Sequence, residues 1–176
     1  SLSAEAVKLM EILGSCVCCG YTLDESFTWT RKSGNGKTKR ESGLAVFGLT
    51  TLQHLLSHLI LIRNKIKKSG VFALELDHTG KITSNGFDLL TMVAFQKSTF
   101  MGACFLTNGR TLQHTNRAMI CYIMGLNMVA ERLPSLRVSE EIPFVVRSDR
   151  DTSLSKGCEL AINSCREAVL MKTINF

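Results

Sequence analysis

The chain has 176 residues, 45% hydrophobic and 20% charged, with only 2 Pro, enough apolar material to offset chain entropy and to exclude global disorder. Its length suits one domain, and a net charge of +6 with a pI near 9.0 invites phosphate-bearing partners. The longest nearly apolar stretch, Leu55 to Ile62, is broken by Ser57 and His58 and falls far short of the roughly 20 residues a membrane-spanning helix needs.

Val7, Leu9, Met10 and Leu13, with Ser3 as N-cap and Gly14 at the end, predict a lead-in helix over 1–14. That pattern already runs by Val7 with neither Met nor leader before it, as expected of a piece of a longer chain. A domain over 15–176 follows. Alternation from Ser15 through Tyr21, Leu23, Phe27, Trp29 and Arg31 reads as a strand, and Asn35-Gly36 as a hairpin turn, because both residues tolerate positive φ. From Thr51, Leu52, Leu55, Leu56, Leu59, Ile62 and Ile66 recur at helical spacing, closing with basic residues and Gly70.

Val71 to Asp77 alternates as a strand, and His78-Thr79-Gly80 turns it into Lys81-Ile82-Thr83, a second predicted hairpin. Asp88 to Gln96 is an apolar block that reads equally as helix or strand, with Asp88 available as a cap, whereas Thr99 to Leu106 reads as a strand. After Asn108-Gly109, a helix is predicted from Gln113 to Leu133, stopped by Pro134. Ile142 to Val146 is strand-like, Ser148 to Ser153 a polar loop, Ser155 to Arg166 a helix, and Ala168 to Ile174 a last apolar stretch. Hairpins and helices mix without βαβ alternation, so the expected class is α+β: an antiparallel sheet with hairpins packed against a small cluster of helices.

Seven cysteines is an odd number, and their scatter through apolar surroundings predicts reduced, buried thiols of a nuclear or cytoplasmic setting. Cys16, Cys18 and Cys19 lack the second pair that zinc requires, so no metal or other cofactor is expected. Phosphate-loop, G-x-S-x-G and H-E-x-x-H motifs are all missing, and the expectation is a non-catalytic chain. His54 and His58, four apart, are expected along the flank of the leucine-rich helix. One basic cluster, Arg63 to Lys68, is a helix C-terminus, where the dipole favours cations. In the other, Tyr21, Phe27 and Trp29 lead into Arg31, Lys32, Lys37, Lys39 and Arg40. Rings stack bases at about 1–3 kcal/mol each while cations hold phosphates; composition by itself gives no more than a nucleotide or RNA binder.

The stretch Phe27-Thr28-Trp29-Thr30-Arg31-Lys32-Ser33-Gly34, followed by Lys39-Arg40-Glu41, resembles the hairpin of the cap-binding domain in the second basic polymerase subunit of orthomyxoviruses. Ala6-Val7-Lys8 and Met10 upstream, Ser69-Gly70 closing a helix, Met92-Val93 with Gln96, and Asn116-Arg117-Ala118 are similar to family segments in the same order. Over roughly residues 4–130 the likeness is that of a divergent, thogotovirus-like member. The resemblance implies a module that holds the methylguanosine cap of host pre-mRNA for cap-snatching. It also implies capped RNA and other viral polymerase subunits as partners, no membrane, and residence in the host nucleus and the virion.

Carried over residue by residue, the resemblance makes Lys39, with Arg40, the phosphate contact. Tyr21, Phe95 and Trp29 become the rings against the cap, and His58 takes the guanine-facing helix position. The family segment with the second stacking ring and the guanine-reading acid is shortened here. The alternative is therefore a degenerate cap-binding fold without intrinsic cap affinity, serving as a structural and interaction module.

Overall fold

The computed structural model describes residue 4 and residues 17–68, 70–80, 82–136, 142–149, 151–166 and 174–175. The strands are β1 (Val17–Lys32), β2 (Thr38–Thr51), β3 (Phe72–Thr79), β4 (Asp88–Gln96), β5 (Ser98–Thr107), β6 (Ile142–Ser148) and the two-residue β7 (Ile174–Asn175). The helices are α1 (Leu52–Lys67), α2 (Leu112–Arg132) and α3 (Thr152–Ser164). The strand order is β1-β2-β5-β4-β3-β6-β7. Pairing is antiparallel from β1 to β3, and β6 joins β3 in parallel. The chain is α+β, as its sequence predicts. The expected lead-in helix over 1–14, apart from residue 4, and most of the apolar stretch over 168–174 lie outside the described residues.

Alternation sorts the sheet into two faces. Leu44, Val46, Leu74, Leu76, Leu90 and Met92 point to a buried inner face, where they meet Leu55, Leu59 and Ile62 of α1, Met119 and Leu126 of α2, and Leu154 of α3 in one core cluster. Asp88–Gln96, open from its sequence, is a strand with strictly alternating burial over most of its length. The second hairpin is built differently from the expectation. Its return arm is β4, and Ile82 and Thr83 belong to the connecting turn. There Gly86 N donates to Thr83 O (3.0 Å), Ile82 N to Phe87 O (3.1 Å) and Phe87 N to Thr83 Oγ1 (3.0 Å). These backbone groups are spent locally, so they make no strand ladder. Helix α3 begins at Thr152, earlier than its periodicity predicts, because Asp151 caps it through Ser153 N at 2.8 Å.

Two irregularities shape the sheet. In β5, Gly102 is an extra residue between the pairs Met92↔Ala103 and Val93↔Met101. A Cβ there would stand 2.7 Å from His58 Nδ1 and 2.9 Å from Tyr122 Cε2, so the position admits only glycine at this close approach. In β1, three residues between Asp24 and Thr28 face Gly43 alone, whose φ of +83° carries the bulge. The side chains beyond it change face, and Trp29 turns inward.

The His58 environment yields a stability test. Tyr122 Oη lies 2.6 Å from His58 Nδ1, and His58 Nε2 lies 2.8 Å from Phe100 O. A carbonyl only accepts, so Nε2 carries the proton and the tyrosine hydroxyl donates to Nδ1. Tyr122→Phe removes that donor and strands a buried acceptor, an expected loss of about 1–3 kcal/mol in urea unfolding. An unchanged urea midpoint would show that the bond contributes nothing.

Candidate functional site

One end of the sheet opens into a cleft of about 1020 Å³. The hairpin contributes the segment Trp29–Gly34, the β3–β4 turn Gly80 and Gly86, the start of β4 Asp88, the β5–α2 junction Gly109–Thr111, and the cap of α3 Asp151 and Ser153. Arg31, Lys32 and Arg110 against Asp88 and Asp151 leave one net positive charge among these lining residues.

The cleft is held by hydrogen bonds that leave little freedom. Asn108 Nδ2 donates to Gly43 O at 2.8 Å, and its Oδ1 accepts from Ala45 N at 2.9 Å. That fixes the amide's orientation. His114 Nε2, 2.7 Å from the same Oδ1, must then carry a proton, and Thr111 Oγ1 donates to Nδ1 at 2.7 Å. Arg31 Nη2 donates to Asn108 O at 2.8 Å, and Arg110 grips Asp88 through two bonds, 3.0 and 3.3 Å long. Burial, reinforced by the Arg31 charge, holds the His114 imidazole down to about 4. Burial likewise lowers His78, and the Arg110 charge adds to the effect.

Trp29 packs edge-on to His114, with ring centroids 5.1 Å apart, and its indole N–H donates to Gly43 O at 3.1 Å. The Arg31 guanidinium lies 5.3 Å from the Trp29 ring centroid. It occupies the cation–π seat that a methylated base would take.

The six residues singled out from sequence are not brought together. Tyr21 is 73% exposed and Phe95 62% exposed, both on the outer face. The register runs from Tyr21 through Phe47 and Leu106 to Leu89. Phe95 therefore stands about 20 Å along β4 and about 14 Å across the sheet from Tyr21, far beyond the thickness of a base. Trp29 is 8% exposed, on the opposite face. Lys39 forms an exposed ion pair with Glu41 at 3.3 Å, and Arg40 reaches Thr28 Oγ1 at 3.4 Å; neither lines the cleft.

His58 requires a correction. It lies on the buried face of α1, not its flank, at 0% exposure with both ring nitrogens bonded inside the protein. Desolvation lowers its pKa, so it is a neutral core residue that no guanine can reach.

Asp88, Asn108, Arg110, His114 and Asp151 were not picked out as site residues from sequence. Asp88 reads there as a cap and Asn108-Gly109 as a turn, and a strand ending at that turn is the one signal that places them side by side. Cys104, Cys121, Cys158 and Cys165 are free thiols, and burial raises all four, Cys158 to about 12. None has thiolate character near neutral pH. No family model, curated protein or solved structure matches the chain.

The buried imidazoles set a pH dependence. Folded His114 stays neutral to about 4, whereas the unfolded chain protonates it near 6.5. The unfolded state thus binds more protons between those values, and stability is full above 6.5 and falls with acid. From His114 alone the expected loss is roughly 3 kcal/mol by the lower end of that window. Urea midpoints that fall between pH 7 and pH 4.5 in the wild type, with a shallower fall in His114→Gln, are the expected result; flat midpoints over that range would contradict it.

Proposed function

We propose that this chain is a cap-binding-like domain of a viral RNA-dependent RNA polymerase subunit. It lacks the two-ring cap sandwich and holds RNA by its phosphates in the cleft beside Trp29. The reading joins the ordered resemblance of the hairpin and helix segments to one geometric observation: Arg31, Lys32 and Arg110 converge on a single cleft, whereas the three stacking candidates lie apart. Phosphate is attracted by converging cations whatever base it carries. In this reading the domain is non-catalytic, works with the other polymerase subunits in the host nucleus, and binds capped and uncapped RNA ends alike.

Methyl-selective cap capture is the second reading. It is favoured by the exposed Phe95 ring, 62% accessible at the end of β4, and would take its second ring from another polymerase chain. In this reading only the assembled polymerase discriminates the methylated base.

Titration with 7-methyl-GTP and with GTP, followed by calorimetry or by fluorescence of Trp29, the sole tryptophan, tests the first reading. Expected are equal, weak affinities that fall with added salt and weaken further in Lys32→Glu. Methyl-selective saturation at micromolar ligand would restore the sandwich. Silence towards both nucleotides at millimolar concentration would remove the phosphate site.

A further inference from the structure

The outer face of the sheet carries a second array of rings. Tyr21 and Phe47 are register partners on neighbouring strands, with ring centroids 6.1 Å apart and planes inclined by 29°. Phe87 extends the row, again 6.1 Å from Phe47. Helices cover the inner face, and among the described residues no helix covers the outer one: Tyr21 is 73%, Leu23 55% and Phe47 44% exposed. Solitary exposed apolar residues are ordinary, but a contiguous row of rings on an open sheet is not.

We propose that this row is a stacking floor for successive bases of single-stranded RNA. Charge argues for a nucleic acid over an apolar protein partner. β1 and β2, which carry Tyr21 and Phe47, run on past the bulge into the hairpin that bears Lys32, Lys37 and Arg40, all exposed. Among the described residues no carboxylate pairs with these three cations, and the whole chain carries +6. Stacking needs flat faces of any sequence, while unpaired cations nearby draw the backbone. A single strand crossing β1 and β2 then sets bases on Tyr21, Phe47 and Phe87, and its continuation along β1 brings phosphates to the hairpin. The rings lie on the opposite side of the sheet from Trp29, and of the three cations only Lys32 also lines the cleft.

The test uses an uncapped, single-stranded RNA oligonucleotide carrying 2-aminopurine, titrated into the 176-residue chain at fixed low salt. Binding should quench the 2-aminopurine, as stacking on a ring does. The double variant Tyr21→Ala, Phe47→Ala should bind about tenfold or more weakly. Its salt dependence should be unchanged because the cations remain, and unaltered circular dichroism and urea midpoint would confirm that it folds. Lys37→Glu with Arg40→Glu, neither of them in the cleft lining, should instead reduce the salt slope. Equal affinity of the double variant, or equally tight binding of duplex RNA of the same sequence, would overturn the proposal. So would a self-association of the chain that disappears in the double variant while RNA binding persists. Because neither Tyr21 nor Phe47 lines the cleft, the double variant reads the rings alone, so a failed nucleotide titration at the cleft leaves this result unaffected, and the reverse also holds.

Discussion

The carbonyl of Gly43 accepts two hydrogen bonds, 3.1 Å from the Trp29 indole and 2.8 Å from the Asn108 amide, and the working end of the molecule depends on that junction. Without the bulge at Gly43, strict alternation would keep Trp29 on the same face as Tyr21. With it, Trp29 and Arg31 pass to the helix side and build the cleft wall. Asn108 then ties the bulge to the end of β5 and to His114 of α2, joining hairpin, sheet and helix through side-chain and backbone hydrogen bonds. Satisfied polar networks of this kind are rigid because every alternative leaves a buried donor or acceptor unpaired.

The same bulge divides two chemistries between the two sides of the sheet. The inner side collects guanidinium groups, carboxylates and a neutral histidine around an open volume. The outer side keeps the rings and the aliphatic residues of β1 and β2. A cap-type sandwich needs aromatic rings on opposing walls of one pocket, and here the rings share a floor or lie buried beneath Arg31. The Trp29 face already has its cation, and displacing Arg31 from it would also break the bond to Asn108 O. Affinity for a methylated base would have to exceed both losses.

Hairpin, helix and strand identities were legible where a local rule decided them. Asn35-Gly36 specified a turn, the leucine spacing specified α1, and Pro134 stopped α2, because each is set by a few neighbouring φ values or one helical face. His58 was misplaced for a related reason. Its side chain carries a polar label, yet residue 58 lies between Leu55, Leu59 and Ile62 on the buried stripe, and only Tyr122 and the Phe100 carbonyl make that burial tolerable.

The amino-acid order alone determined the class of fold, most of the elements, and a basic hairpin with aromatic flanks, since these depend on periodicity, turn chemistry and charge that act over a few residues. Only the tertiary structure decided which face each ring occupies and which cations share a volume. The irregular backbone at Gly43, with φ +83°, reverses side-chain direction, and the residues that converge on the cleft lie up to 124 positions apart, from Trp29 to Ser153. Sequence spacing carries no information about such distances, because they are set by strand register and by the helices that close the core.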